Sequence, residues 1–396
     1  MAITVITEPT DLMPIHSPMM YLLSSTLSTE KNFKIEFKVT VNAEVRNVKV
    51  SPRPDGRVEF NVASHLRDYL DLSEFNPTKV LTGNSDVAPH AIYKVDFTEE
   101  YIDASGDLIT GTLVAGVNAT GTNIVLNRSE LINYSADKWE NITSAIAPVS
   151  DVLLNSKPNS SYYKDDVIWV HTAGHSFDPP VRFRTFEYDG SGNLLVTGSS
   201  PTVLGNDICK YYKFDLSTQS FNANTKSIGI LFENDNFEPV TKVNRYKLKD
   251  VECSSFDKYR FIYLDKLGSY NTISLNHASN EEVSIKRENF SSRLDSLTDI
   301  DSSRGLQTYF TSANETYTLN TGNLNADDMA KFEDLLLSTR VMLDVRSHPD
   351  SKFDGMEYVP FMINTKSMKR YKSENQQIAQ YTIEGELGYK LNVRTR

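Results

Sequence analysis

Two histidines lie close enough along the chain to suggest a metal site. His171 and His175 have the i, i+4 spacing that lets two imidazoles bind zinc from one face of a helix. That chemistry also needs a glutamate between them and a helical frame, whereas the segment is HTAGH, flanked by VIWV and SFDPP. These flanks are typical of a strand and a loop. We therefore predict a polar loop here, and neither a metal nor a cofactor.

Acidic residues are the next candidates, because sheet-rich glycosidases use two carboxylates roughly 5–9 Å apart. The spacing singles out no pair among Asp165, Asp166, Asp235, Asp299 and Asp301. The sequence also contains no GXSXG, P-loop or GXGXXG motif. The residue types therefore favour a protein that is not an enzyme.

Aromatic and sulfur-containing side chains complete the candidates. Trp139 and Trp169 have rings that can stack on a sugar, but we expect a place in a core or at a domain junction. Cys209 and Cys253 are the only cysteines, which excludes a disulfide scaffold and a cysteine-based zinc module. We expect both cysteines to serve in packing.

Composition narrows the class of protein further. The chain has 396 residues, of which 39% are hydrophobic and 23% charged, which is typical of globular domains. Its net charge of −11 argues against a protein that coats nucleic acid. No apolar run approaches the roughly 20 residues that span a bilayer, and the first residues lack the pattern of a secretion signal. We therefore expect neither a membrane association nor Sec export.

The basic residues are concentrated near the end of the sequence. Residues 366–396 carry seven basic and three acidic side chains, a net charge of +4, which leaves −15 for the remainder. Such asymmetry suits contact between unlike faces of neighbouring protomers; a solvated sheet face paired within its own domain is an equal alternative. The predicted interface residues are Lys366, Lys369, Arg370, Lys372, Arg394 and Arg396.

Alternation of apolar and polar residues predicts a mainly β protein. The clearest strands are predicted around 33–39, 58–62, 93–97 and 381–393, the last as one long strand with bends or bulges at Gly385 and Gly388. Hairpins are predicted at the turns 189–193 and 265–269, and a loop at 217–226. Many short strands at this spacing favour β-sandwiches or barrels over a parallel α/β sheet.

Helices are predicted at only two places. SHLRDYLDL begins with Ser64 as its N-cap, and NADDMAKFEDLLLS begins with Asn325 as its N-cap. The second helix lies between strands, so the C-terminal region is predicted to be an α+β domain. The predicted division is an N-terminal β domain at 1–90, a β domain or half-sandwich at 91–148, a β-sandwich at 149–250, and the α+β domain at 251–396.

Four stretches, taken in order, resemble a family of virion proteins. They are FKIEFKVTV with VKVSPRPDGRVEFNVASHLRDYL; AIYKVDFTEEY with DVLLNSKPNSSYYKDDVIWV and RTFEYDGSGNLL; YRFIYLDKLGSYNTISLN with VSIKRENF; and NADDMAKFEDLLLSTRVMLDV with the segment from YVPFMINTK to the end. The family comprises tail and neck structural proteins of tailed bacteriophages, especially crAss-like and related phages of Bacteroidota-type hosts. The chain departs from the family's aromatic-Leu-Asn-x-x-Gly-Gly turn, with Asp265 and Ser269 in that region.

The resemblance implies a non-enzymatic structural component of a tail or of the capsid–tail junction. It implies a ring or adaptor of several copies, in contact with other tail, portal or neck proteins. The only nucleic acid that the resemblance implies as a partner is the DNA that passes through the channel of such a ring. The expected location is the virion, after assembly in the host cytoplasm. The first alternative is a receptor- or carbohydrate-binding tail protein, and the second is a surface glycan hydrolase.

Overall fold

The computed structural model describes most of the chain, with gaps. The described residues are 3–9, 12–41, 43–70, 85–87, 90–122, 153–154, 159–173, 181–204, 209–233, 237, 239, 243–250, 257–266, 270–291, 306–346, 356–365, 380–388 and 391–395. These residues form a mainly β protein with several sheets and two short α-helices. In this part of the chain, no helix is long and apolar enough to cross a membrane.

The first unit contains two sheets with a common core. Its elements are β1 (Ile3–Thr7), β2 (Leu12–Pro14), β3 (Met20–Ser25), β4 (Lys31–Val41), β5 (Glu44–Val50), β6 (Arg57–Asn61) and α1 (Ala63–Leu66). They are followed by β7 (Ser85–Val87), which pairs elsewhere, and by β8 (His90–Ile102), β9 (Leu108–Thr110) and β10 (Asn118–Thr122). One sheet has the order β1-β3-β6, and the other has the order β2-β10-β8-β4-β5, with β9 on β8. Phe37 on β4 stacks on Phe60 on β6 with ring centroids 4.3 Å apart, so side chains of the two sheets share one core.

The pairing of β8 bears on the organisation of this unit. β8 pairs antiparallel with β4, placing Val39 opposite Val95 and Phe37 opposite Phe97. Alternate residues of both strands therefore point into the same core. Sheet and core thus continue across residue 90, where the sequence predicts a domain boundary.

The second unit contains two further sheets. Its strands are β11 (Leu153–Leu154), β12 (Ser161–Tyr163), β13 (Val167–Ala173), β14 (Val181–Tyr188), β15 (Leu194–Leu204), β16 (Cys209–Asp215), β17 (Ser227–Glu233) and β18 (Asn244–Lys249). The sheet orders are β11-β13-β16-β7 and β12-β18-β17-β14-β15. The predicted hairpin at 189–193 is confirmed, because β14 and β15 pair antiparallel around that turn.

The third unit is one eight-stranded sheet with a helix packed against it. Its elements are β19 (Tyr259–Leu264), β20 (Tyr270–Leu275), β21 (Ser279–Ser291), β22 (Leu306–Asn320), α2 (Ala326–Leu337), β23 (Val341–Asp344), β24 (Tyr358–Ile363), β25 (Thr382–Leu387) and β26 (Leu391–Thr395). The sheet order is β20-β19-β23-β24-β25-β22-β21, with β26 also on β22. Phe332 of α2 stacks on Tyr381, and Leu335 is buried in the same core.

Two sequence predictions for this unit hold and one is corrected. The hairpin at 265–269 is confirmed by the antiparallel pairing of β19 with β20. Asn325 caps α2, because its Oδ1 accepts a hydrogen bond from the Asp328 amide at 2.9 Å. The single long C-terminal strand is instead two strands, β25 and β26, which pair with successive parts of β22 on either side of a bend at Gly388.

The predicted cap of α1 is also corrected. Val62 occupies the N-cap position and has no capping side chain, while Ser64 lies inside the helix. The Asn61 side chain supplies the acceptor instead: its Oδ1 receives hydrogen bonds from the amides of Met19 and Ala63, both at 3.1 Å. The helical turn is therefore anchored by the strand residue that precedes it.

Candidate functional site

The basic residues predicted to form an interface lie mostly beyond the described part of the chain. Lys366, Lys369, Arg370, Lys372 and Arg396 are outside the described residues. Arg394 belongs to β26, where its backbone pairs with Thr311. The structure therefore describes the strand that carries one of these residues and not the proposed surface itself.

The candidates for chemistry divide in the same way. His175, Asp235, Asp299, Asp301, Trp139 and Cys253 lie outside the described residues, and for His171 and Cys209 only the backbone strands are described. Among the described residues, no three metal-ligating side chains cluster. Trp169 is fully buried, and its ring packs edge-on against Tyr270 of the third unit at 5.5 Å between centroids, which confirms the predicted place in a core or at a domain junction.

Asp165 and Asp166 lie at the boundary between the second and third units. They follow β12 in the turn that leads to β13, and the Asp166 carboxylate accepts a hydrogen bond from the Tyr163 amide at 2.8 Å. Across the boundary, Arg260 on β19 lies between Ser274 on β20 and Asp344 on β23. The strand registers place Ser274 opposite Arg260 on one side and Asp344 opposite Arg260 on the other. The turn therefore faces a row of polar side chains on the third sheet.

An ion network joins the turn to this row. Arg260 contacts Asp165 at 3.0 Å, Asp166 at 3.1 Å and Asp344 at 3.3 Å. Lys258 contacts both carboxylates of the turn, at 2.6 Å for Asp165 and 3.2 Å for Asp166. We call Asp165, Asp166, Lys258, Arg260, Ser274, Asp344 and Arg346 the seam cluster.

The remaining bonds of the seam cluster satisfy its buried carboxylates. Ser274 donates its hydroxyl to Asp166 at 2.6 Å. Arg346 holds Asp344 with two hydrogen bonds, at 3.0 Å from Nε and 2.7 Å from Nη2. Since the Asp166 and Asp344 side chains are only 2% and 1% exposed, these partners replace the water that the carboxylates lose on folding.

The electrostatics of the seam cluster keep both buried acids ionised. Burial on its own raises the pKa of Asp166, but the charges of Lys258 and Arg260 outweigh it and hold that pKa below its ordinary value. For Asp344, burial is likewise outweighed by the hydrogen bonds and charge of Arg346, and its pKa is lowered. A glycosidase needs one carboxyl group with a raised pKa as its acid, and these two acids do not provide one.

A second contact lies where α2 meets β12. The Lys331 ammonium is buried, 3.3 Å from the centroid of the Tyr162 ring, and donates a hydrogen bond to the Ser161 carbonyl at 3.2 Å. Asp328 on the same helix accepts a hydrogen bond from the Ser161 amide at 2.7 Å and pairs with Lys249 at 3.2 Å. Burial lowers the pKa of Lys331 to about 7, against the opposing charges of Asp166 and Asp328.

Strand β12 is thus held by the third unit at each of its three residues. Ser161 bonds to α2 as described, Tyr162 bonds to Asn271 at 2.7 Å, and Tyr163 bonds to Asn276 at 2.9 Å. Every one of these bonds spans more than 100 residues of sequence. The arrangement is suited to holding the two units together.

The edge of the third sheet is formed by an exposed strand. β21 pairs with β22 on one side, and in the described part of the chain no strand pairs with its other side. Residues 280–287 are exposed without interruption, including Val283 at 55% and Ile285 at 56%. The outer side of an edge strand with exposed apolar side chains is a template for pairing with another chain.

Sequence reasoning missed the partners of the seam cluster, although some signals were present. In the sequence alone, Asp165 and Asp166 cannot be told from other acidic residues. The signals were a single arginine, Arg260, inside the otherwise apolar strand YRFIYL, and a lysine, Lys331, on the same helical stripe as Phe332 and Leu335. A lysine or arginine at a position where the pattern calls for an apolar residue indicates a buried partner for its charge.

No protein-family model matches the chain, and no curated protein matches it. Among solved structures, the chain is weakly similar to a biofilm-associated protein BSP domain, with a TM-score of 0.16 and 10% identity. The match covers 81% of this chain, which spans 63% of the length of that one.

Proposed function

We propose that this chain is a non-enzymatic structural protein that assembles through protein–protein contacts. The observation that carries the proposal is the edge strand β21, which is exposed from Asn280 to Arg287 and has no strand paired with its outer side in the described structure. An element of this kind contributes little to its own core. It is suited to contact with another chain.

The place of assembly follows from the sequence resemblance. We propose a bacteriophage tail or capsid–tail junction, where the chain forms a ring or adaptor with copies of itself and contacts other tail, portal or neck proteins. DNA is then present only within the channel, and the location is the virion after assembly in the host cytoplasm. The seam cluster supports a structural role, because its ionised groups pair with one another.

The finer architecture is part of the same proposal. The first and second units, each built from two sheets, are β-sandwiches, and the third unit is an α+β domain that forms the ring. Supporting this division, one buried cluster ends at Leu248 and the next begins at Tyr259. The basic residues of 366–372, with Arg394 and Arg396, provide the contact between neighbouring protomers in a closed ring.

Electron microscopy of the purified chain tests this function. We expect closed rings for the natural sequence, and fewer of them for the double variant Lys369→Glu with Arg370→Glu. The matched control is Lys31→Glu with Lys38→Glu, two exposed lysines on β4. Rings that form equally in both variants would remove the basic segment from the proposed contact, and single particles of the natural sequence would oppose the ring itself.

The alternative is a receptor- or carbohydrate-binding tail protein. Sugar-binding sheets expose aromatic rings, whereas Trp169 is buried at the junction. This observation favours the structural proposal. Specific binding on a glycan array would reverse that preference.

A further inference from the structure

The outer edge of β21 has a charge pattern that is complementary to itself. Glu281 and Glu282 lie in the first half of the strand, and Lys286 and Arg287 lie in the second half, followed by Glu288, which pairs with Lys286 at 3.0 Å. If two such strands run antiparallel, the acidic pair Glu281 and Glu282 of one faces the basic pair Lys286 and Arg287 of the other. If they run parallel and in register, like charges face each other, which is unfavourable. The pattern therefore selects the antiparallel arrangement.

One register pairs all four of the residues Glu281, Glu282, Lys286 and Arg287 with opposite charges at once. We propose that β21 pairs antiparallel with β21 of a second copy of this chain, about a two-fold axis at Ser284. This register places Val283 opposite Ile285, Glu282 opposite Lys286, and Glu281 opposite Arg287. The inference rests on the proposed function, because it names the partner of the same strand edge.

Each face of the joined sheet is then chemically consistent. One face carries Glu281, Val283, Ile285 and Arg287, so that in the pair an apolar patch of four side chains is flanked by charge pairs. The other face carries Glu282, Ser284 and Lys286. Two exposed apolar residues per chain are thereby covered, and the outer side of β21 gains a paired strand.

Neighbouring registers lack this agreement. Moving the axis to Ile285 places Glu282 opposite Glu288, and moving it to Val283 leaves all four charges opposite uncharged residues. The strand itself already holds one ion pair, between Lys286 and Glu288 at 3.0 Å. Tyr259 donates a hydrogen bond to Glu281 at 2.6 Å and so fixes the position of this carboxylate on the strand.

The contact is isologous, so it joins two copies and closes on itself. It therefore differs from the head-to-tail contact that builds a ring. In an assembly that contains both the β21 contact and the head-to-tail contact, the β21 contact joins a protomer of one ring to a protomer of a second ring that faces it, or it joins protomers that are not part of a ring.

The test uses two charge variants of the full chain, separately and mixed. In the basic variant, Glu281→Lys and Glu282→Lys make all four positions positive. In the acidic variant, Lys286→Glu and Arg287→Glu make all four negative. Each variant alone opposes like charges across the axis, and we expect its self-association at this contact to weaken by about tenfold or more, measured by sedimentation equilibrium.

The mixture is the decisive measurement, because one acidic and one basic strand restore all four charge pairs. We expect the mixture to associate at least as tightly as the natural chain. A single chain with all four substitutions should also recover self-association. Circular dichroism checks that each variant is folded, and Lys31→Glu with Lys38→Glu serves as the charge control.

Three results would overturn the inference: a natural chain that remains a monomer, variants that associate like the natural chain, or a mixture no tighter than its components. In the second case, the natural chain still assembles through another surface, so the proposed function stands while this contact fails. A natural chain that never assembles opposes both proposals.

Discussion

Arg260 and Asp166 meet across the boundary between two units, with Arg260 Nε 3.1 Å from Asp166 Oδ1. Asp166 is in a turn of the second unit, and Arg260 is in a strand of the third, 94 residues further along the chain. The Asp166 side chain is 2% exposed and the Arg260 side chain is 12% exposed. Because a buried charge that loses its partner is strongly destabilising, this pair couples the folding of one unit to the presence of the other.

The first prediction concerns Asp166→Asn, which keeps the shape of the side chain and removes its charge. Lys258 and Arg260 then lose a buried counter-charge, and we expect the free energy of unfolding at pH 7 to fall by about 3 kcal/mol. Chemical denaturation measures the change. The matched control is Asp165→Asn, since Asp165 is 35% exposed and its loss should cost about 1 kcal/mol or less. Equal effects of the two substitutions would contradict the assigned importance of Asp166.

Acid should weaken the same contact. Since the pKa values of Asp166 and Asp344 are lowered by folding, their contribution to stability is present above the unfolded value near 4 and is lost as pH falls below it. The natural chain should therefore lose stability more steeply below pH 4 than Asp166→Asn does. Denaturation curves at several acidic pH values measure this difference, and parallel pH profiles would count against it.

Lys331 gives a prediction of opposite sign. Folding lowers its pKa from 10.5 to about 7, so between these values the unfolded chain binds more protons than the folded one. The free energy of unfolding should then rise with pH from 7 to 10. We expect the natural chain to gain up to a few kcal/mol relative to Lys331→Met over this range, because each pKa unit corresponds to about 1.4 kcal/mol.

The groups that face Lys331 are Tyr162 on β12, Asp328 on α2, Lys249 on β18, and Asp166 in the turn. Comparing the natural chain with Lys331→Met cancels the titration of groups that both proteins share. Lys38→Met, on an exposed strand position, should leave the profile unchanged. A natural chain and a Lys331→Met variant with the same dependence on pH would disprove the effect.

Gly385 gives a prediction about close packing in the third sheet. A Cβ atom added there would lie 2.3 Å from the Phe361 ring and 2.7 Å from the Met362 carbonyl oxygen. Because Phe361 is buried, Gly385→Ala should lower stability by about 1–3 kcal/mol. Gly190→Ala is the control, since its nearest neighbour is 3.8 Å away. Thermal unfolding should separate the two, and a tolerated Gly385→Ala would show that the sheet can move aside.

Local patterns predicted the elements well. Alternation located β4, β6 and β8, turn residues located two hairpins, and the sequence around Asn325 gave both the helix and its cap. These features depend on neighbouring residues, which is why one sequence suffices for them. Ser64 failed as a cap because Asn61, three residues earlier, already supplies the acceptor.

Long-range features were beyond the same reasoning. The pairing of β8 with β4 across residue 90, and the meeting of Asp166 with Arg260, depend on how distant strands pack, which local periodicity does not encode. For the split between β25 and β26, the sequence predicts only a bend or bulge at glycine. The edge position of β21 likewise depends on the order of strands in the third sheet.

We propose that this chain functions by assembling into a complex of several copies. The most direct measurement is the mass of the purified full chain by light scattering behind a sizing column, at two salt concentrations. We predict a mass several times the 44.7 kDa of one chain, which decreases at the higher salt concentration because charge pairs guide the contacts. A mass of one chain at every protein and salt concentration would contradict the claim.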